Sequence, residues 1–450
     1  MRPCSRFVVL CALVLMGLSC RAVNPTASLD YTPSTLAMGP LWIATWLPAG
    51  MNDFRFGPQN RDYLARLGVN AVQWLQRHRD DRGTAEEQLM RFASDRGWQM
   101  LAYYEPHDFS PYDKLHNWAT RGDGLNSDSL RVVVESVYRQ WNANSAFAGY
   151  LVGHEDYRLA QYASLSEVID MIALIDAGRP AYSVGRLRDY EDPSAFFDAL
   201  FGSGGTDNVF QQEHYVFRGG VPVEGSSFQR RINLLADGFD EVARGLEGRS
   251  GHWHAIVQVQ SEMRGTQAYY RKPTPAEIRL QVGLGLSRGA SGIVYFLYSS
   301  GVEELRDNGG SVVETRVYEG LVDVNGVPTS NYAAVQQINS DLRALSPTLE
   351  TLHFHGTLSS RLLLQNSLIR RIDGEVEVGL FGDGQRISHI LVVNRWAHAA
   401  QQVRLVLSEH SVSYAMAGVE YDQKKNWVVL QLAAGDFHLL RIEQRSSEDG

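Results

Sequence analysis

From residue 39 onward the chain alternates short apolar runs with amphipathic stretches. The runs Leu41–Trp46, Val69–Leu75, Gln99–Tyr104, Ala146–Val152, Ala181–Val184, Asn208–Gln212, His254–Gln260 and Gly292–Tyr298 predict eight strands. Helical periodicity between them predicts helices over Asp62–Leu67, Ala85–Asp95, Ser129–Trp141, Leu165–Ile175, Phe228–Leu246 and Pro275–Ser287, with a closing helix at Asn331–Leu345. Strands separated by helices imply βαβ units and a parallel sheet. Eight such units fit a (β/α)8 TIM barrel, which takes about 250 residues before insertions. A doubly wound sheet fits less well, because Trp46-Leu47-Pro48-Ala49-Gly50 lacks the glycine spacing of a phosphate-binding turn. After Leu345 the period drops to two in Glu375–Phe381, Ile387–Asn394, Gln402–Leu407, Trp427–Leu432 and Phe437–Ile442. Turns at Asp373-Gly374, Gly382-Asp383-Gly384 and Gly435-Asp436 divide these runs, which predicts an antiparallel β-sandwich. The expected organisation is an α/β barrel over residues 39–346 and an accessory β-sandwich over 347–445.

The first residues follow a different rule. Arg2 and Arg6 precede or open an apolar run, Phe7–Leu18, that is too short to span a bilayer but suits a secretory signal over residues 1–19. Leu18-Ser19-Cys20 resembles the end of a bacterial lipobox, so Cys20 is the expected lipidation site. Residues 20–38 read as a tether, and the expected location is the periplasm or cell surface, lipid-anchored to a bacterial membrane. The only thiols are Cys4, Cys11 and Cys20, which removes disulfides, thiolate metal sites and cysteine nucleophiles from the body of the chain. Without Arg2 and Arg6, 40 basic residues face 51 acidic ones, so no basic surplus is available to follow a nucleic acid. Oligomeric state is not legible.

In a barrel of this kind the chemistry lies at the C-terminal strand ends. Carboxylates occur there in Gly149-Tyr150-Leu151-Val152-Gly153-His154-Glu155-Asp156, Gln211-Gln212-Glu213-His214-Tyr215 and Gln258-Val259-Gln260-Ser261-Glu262, and Glu105 follows the third strand. Two converging carboxyl groups are what glycosidic cleavage needs: one protonates the leaving oxygen, the other attacks the anomeric carbon or activates water. Trp46, Trp74, Tyr104, Tyr215 and Tyr298 are candidate stacking surfaces for a sugar, with Glu105, His154, Asp156, His214 and Gln260 as candidate polar contacts. The pairs His252/His254 and His353/His355 lack a third clustered ligand and read as surface or core histidines, so neither metal nor cofactor is expected. Glu303, Glu304 and Asp307 read as a solvated face that could also serve as a lid.

Several of these segments are similar to a group of bacterial exported proteins with glycoside-hydrolase-type barrels. The matching segments are Gly149-Tyr150 with Glu155-Asp156, Glu213-His214-Tyr215, Arg271–Gln281 through Arg288–Phe296, and Gly320–Tyr332 leading to Ile338-Asn339. The resemblance spans roughly residues 40–360 and extends to the clan of retaining glycosidases that carry a proton-donor Glu after strand four and a nucleophile Glu after strand seven. It implies Glu155 as donor and Glu262 as nucleophile; if Glu262 points away from the site, Glu213 becomes the partner, and a separation of roughly 6.5 to 9.5 Å rather than 5 to 5.5 Å would favour water activation and inversion. His154 stands where that clan usually has Asn. The expected activity is cleavage of an oligo- or polysaccharide by a retaining glycoside hydrolase; the alternative is a saccharide-binding lipoprotein without catalysis.

Overall fold

The computed structural model describes residues 36–47, 57–76, 82–104, 127–155, 158–202, 207–307, 310–360, 368–408, 410–414, 419–422 and 426–444. The proposed signal, tether residues up to 35, Cys20, Glu105 and Asp156 lie outside them, as do the side chains of Trp74 and Tyr104. Residues Ser34–Gly450 form one compact unit.

All eight expected parallel strands are present: β1 Trp42–Leu47, β2 Ala71–Gln76, β3 Gln99–Tyr104, β4 Tyr150–His154, β5 Ala181–Gly185, β6 Val209–Glu213, β7 His252–Gln258 and β8 Gly292–Phe296. Their order in the sheet is β3-β2-β1-β8-β7-β6-β5-β4. The ring is joined between β3 and β4 by Met100, whose N–H donates to Ala146 O at 2.6 Å and whose carbonyl accepts from Ala148 N at 3.0 Å. Side chains alternate across the sheet, so Ala44, Trp46, Ala71, Leu101, Leu151, Tyr182, Val184, Ile256 and Val294 fill the barrel interior. Their neighbours Ile43, Leu47, Val72, Ala255, Val257 and Ile293 pack outward against the helices.

Among the described residues each strand is followed by one principal helix. These are α1 Pro58–Arg66, α2 Arg82–Ser94, α3 Ser127–Trp141, α4 Tyr162–Ile175, α5 Pro193–Phe201, α6 Gly225–Gly245, α7 Pro275–Leu286 and α8 Tyr332–Leu349. Helix α5 was not expected from periodicity, because Phe196, Phe197, Ala199, Leu200 and Phe201 make it apolar almost all round. Its start is nevertheless written in the sequence: Asp192 caps the Ala195 N–H at 3.0 Å and Pro193 occupies the first turn. Helix α7 opens on a capping box between Thr274 and Glu277.

The C-terminal residues form two antiparallel sheets. One runs in the order Leu36–Ala37, His353–Ser359, Val376–Gly382, Ile387–Asn394, Phe437–Gln444, His410–Tyr414; the other in the order Ile369–Asp373, Gln401–Leu407, Trp427–Leu432, Val419–Asp422. Val378, Ile390, Val392 and Leu440 meet Val403, Leu405, Val428 and Leu430 between them, the sandwich core that period two requires. The other face of the first sheet, through Phe381, Leu391, Val393 and Phe437, joins the core that surrounds the barrel. Gly283 on α7 makes this approach close: a Cβ there would stand 2.8 Å from Val393 and 3.0 Å from Phe437. Leu36 and Ala37, expected in the tether, are instead an edge strand of this sandwich.

A further sheet was not expected. Strand β7 stops at Gln258, and Ser261–Arg264 and Gln267–Tyr270 form a hairpin that pairs with a second hairpin, Gly301–Arg306 and Val312–Glu319. The first hairpin follows β7 and the second follows β8, so this four-stranded sheet sits at the C-terminal mouth of the barrel.

Candidate active site

The mouth holds a cavity of about 300 Å³ lined by residues of both the strand ends and the added sheet. Trp46 of β1, His154 and Glu155 at the end of β4, Glu213 at the end of β6, Tyr215, Gln260 and Phe296 form its base. The added sheet contributes Glu262, Arg264, Tyr270, Glu303, Arg316 and Tyr318. Cross-strand register explains this set, since Tyr270, Glu262 and Tyr318 are aligned across three strands, as are Arg264, Arg316 and Glu303.

The decisive feature is the approach of two carboxyl groups. Donor atoms of His154, Glu155 and Glu213 lie within 4.8 Å of one another. The Glu155 and Glu213 side chains are close enough to act on each other directly, by hydrogen bonding and by charge. Burial pushes the Glu213 carboxyl well above the usual carboxylate range, and the hydrogen bond and charge of Glu155 push it further; Arg186 opposes this in part. Glu155 is exposed to the cavity. Its backbone is left-handed, φ 59°, a conformation that costs a residue with a Cβ about 1 to 3 kcal/mol. The Glu155 N–H donates to Val184 O of β5 at 2.7 Å, which fixes the turn where the carboxyl leaves β4.

Aromatic rings border the pair. Trp46 lies 6.0 Å from the His154 ring and 5.8 Å from Phe296, while Tyr215 stacks on Phe296 at 5.5 Å and meets Tyr270 edge-on at 5.6 Å. Gln260 is fully buried, and neither of its amide atoms has a hydrogen-bond partner among the described residues. Glu303 accepts from the Tyr318 hydroxyl at 3.0 Å.

Other expected residues are placed differently. Glu262 lies in the cavity wall, only 4% exposed, and accepts from Arg264 Nε at 2.6 Å. Because β7 ends before it, Glu262 belongs to the added sheet and is held in an ion pair, rather than projecting from the barrel strand. His214 turns away from the cavity: its Nδ1 lies 3.2 Å from where a Cβ on Gly238 of α6 would be, and burial lowers its pKa to about 4. Strand alternation is the reason, since Glu213 takes the inward position and its neighbour must take the outward one. Tyr298 is also not a stacking surface; it is fully buried and its hydroxyl donates to Asn60 O at 3.0 Å. Tyr270, Arg264, Arg316 and Tyr318 were not singled out from the sequence because nothing in the strand-end rule points to insertions.

No protein-family model matches the chain, and no curated protein matches it in sequence. Glycoside hydrolases are among the solved structures similar to it. A β-galactosidase from the Antarctic haloarchaeon Halorubrum lacusprofundi is 10% identical with a TM-score of 0.48, over 90% of this chain and 99% of that one. The β-galactosidase from the psychrophilic Marinomonas ef1 is 11% identical with a TM-score of 0.46, over 69% of this chain, which spans 62% of that enzyme. The glycoside hydrolase family 30 subfamily 8 xylanase Xyn30A from Clostridium acetobutylicum is 10% identical with a TM-score of 0.45, over 92% of this chain and 97% of that one.

Proposed function

We propose that the chain is a retaining glycoside hydrolase whose reacting pair is Glu155 and Glu213. The observation that carries this reading is the hydrogen-bonded carboxyl pair at the ends of β4 and β6, set in an aromatic-lined cavity at the barrel mouth. Glu213, with its raised pKa, is the proton donor to the leaving oxygen, and Glu155, exposed to the cavity, is the carboxylate that attacks the anomeric carbon. The glycosyl-enzyme ester formed on Glu155 is then hydrolysed by a water that Glu213, now deprotonated, activates. Their nearest oxygens lie within 4.8 Å, a separation nearer the roughly 5 to 5.5 Å of retaining enzymes than the roughly 6.5 to 9.5 Å of inverting ones. Glu262, already neutralised by Arg264, becomes part of the wall rather than the nucleophile.

The test is a panel of aryl glycosides and oligosaccharides with wild type, Glu155→Gln, Glu213→Gln and Glu262→Gln, with the anomer released followed by NMR. Expected is a loss on the order of 10² to 10⁴ in rate for the first two variants, a smaller loss for the third, and net retention. Full turnover in Glu155→Gln or Glu213→Gln overturns the assignment. We further propose export and lipid attachment at Cys20, supported by the Arg2/Arg6 and Phe7–Leu18 pattern; Cys20→Ala should shift the protein from the membrane to the soluble fraction.

A further inference from the structure

We propose that the N-terminal end of the barrel, opposite the carboxyl pair, binds one uncharged sugar ring. A cavity of about 390 Å³ opens there, larger than the one at the mouth and within the roughly 300 to 1,000 Å³ of small-molecule sites. Trp42 at the start of β1, Tyr182 of β5, Val209 of β6 and His254 of β7 form its floor, and Arg179 and Asp207 stand at its rim. Along β1, Trp42 lines this cavity and Trp46 the other, with the buried Ala44 between them, so the two are separate sites. The strand-end rule points away from this end of a barrel, which is why the sequence alone gave His254 no role.

The floor is built around its rings. Trp42 and His254 stack with centroids 5.6 Å apart, and Tyr182 approaches them at 5.9 and 6.1 Å. Two glycines make the room: a Cβ on Gly292 of β8 would stand 2.4 Å from His254 Cδ2, and one on Gly149 would stand 2.9 Å from Tyr182 Cε2. Tyr182 and His254 are each only 4% exposed. His254 Nδ1 meets Gln211 Nε2 at 3.3 Å, but no described residue hydrogen-bonds His254 Nε2 or the Tyr182 hydroxyl. Neither atom is sealed inside the protein, so each opens on the cavity that its side chain lines. A polar group held this deep without a partner costs stability, and a ligand hydroxyl supplies the partner.

The lining also selects the ligand. Burial lowers the His254 pKa to about 3 and raises that of Tyr182, so both present uncharged groups at neutral pH. Arg179 is held by Asp176 at 3.4 Å and by the carbonyls of Phe147 and Asn142, so its charge is committed and the cavity is not built for a phosphate or carboxylate. Neutral hydrogen-bonding groups beside aromatic rings suit a ligand with hydroxyls on its edge and C–H groups on its face, which is a sugar ring.

This site does not rest on the hydrolytic reading. The experiment titrates the full chain with methyl β-D-glucopyranoside, methyl β-D-galactopyranoside and methyl β-D-xylopyranoside, followed by saturation-transfer NMR, for wild type, Tyr182→Phe, His254→Phe and Glu155→Gln. Expected is saturable binding of at least one probe, weakened roughly threefold to tenfold in each of Tyr182→Phe and His254→Phe and kept in Glu155→Gln. Crystals soaked in that probe should show it against Tyr182 and His254. Tyr182→Phe deletes a hydroxyl that holds nothing in the fold, so an unchanged Tm in that variant separates a lost contact from a lost structure. Absence of saturable binding, or binding that Tyr182→Phe and His254→Phe leave unchanged, overturns the inference. Binding at this cavity in a chain that cleaves no glycoside supports the site and sinks the hydrolytic reading; cleavage without such binding does the reverse.

Discussion

Glu213→Gln should make the protein more stable at neutral pH while removing its activity. At neutral pH the folded state must either hold a proton on the Glu155–Glu213 pair or accept two charges in contact; the unfolded chain does neither. Two unit charges at 4.8 Å, the outer limit of the donor separation, repel by about 0.9 kcal/mol in water and about 3.5 kcal/mol at an effective dielectric of about 20. Because Glu155 is exposed, screening brings the penalty to about 1 to 3 kcal/mol. Glutamine keeps the shape and an N–H that can donate to Glu155, but it has no charge to lose. The sign follows from the direction of the shift: a carboxyl whose folded pKa is raised favours the fold below its unfolded value, about 4.3, and loses that advantage as pH rises through the folded value. The gain in Glu213→Gln should therefore be absent near pH 4 and grow as pH rises from there toward 8. With an unfolding entropy of about 2.1 cal/mol/K per residue over some 400 residues, the shift in Tm is roughly 1 to 4 °C. Differential scanning calorimetry at pH 8, 6 and 4 measures it, beside the rate assay. A lower Tm at pH 8, or a difference that does not shrink toward pH 4, would refute the shared-proton argument.

Three other substitutions test separate parts of the structure. Glu155→Gln should lose activity on the order of 10² to 10⁴ in kcat while circular dichroism stays unchanged, since the side chain projects into the cavity. Gln260→Met should raise stability by about 1 kcal/mol in urea unfolding, because it removes a buried amide whose two polar atoms have no partner among the described residues; a loss of stability would show a structural role for that amide. Glu377→Ala should destabilise by about 3 to 5 kcal/mol, because it leaves Arg288 and Arg395, both 3% exposed on their side chains, without their common partner where the sandwich meets the barrel; a change under about 1 kcal/mol would contradict this.

The eight barrel strands and most helices were legible because their burial obeys simple alternation. Apolar side chains of β1 to β8 fill the interior on one face and meet the helices on the other, so each strand stands out as a short continuous run. The end of β6 was legible too: Glu213 at an inward position is a carboxylate that the barrel rule points at. His214 and Tyr298 went wrong through the same rule, because proximity to a strand end says nothing about which way a side chain turns. The residue next to an inward Glu213 has to face α6.

The sheet over the mouth was not legible, and its chemistry explains why. In an ordinary sheet the buried face is apolar and the exposed face polar. Here the order is reversed: Glu262 and Glu303 are 4% and 8% exposed, while Val302 and Val317 are 40% and 42% exposed. A sequence scan for buried strands therefore reads Ser261–Arg264 and Gly301–Arg306 as polar loops. The reversal has a physical cause, since this sheet faces a cavity lined with carboxylates and guanidinium groups rather than a hydrophobic core. Alternation with charged residues buried and valines outside is costly for folding alone, because buried charge must be paired, as Glu262 is with Arg264 and Glu303 with Arg316. A strand pattern that runs against burial, placed directly after a barrel strand, is thus itself a signal for the wall of a binding cavity.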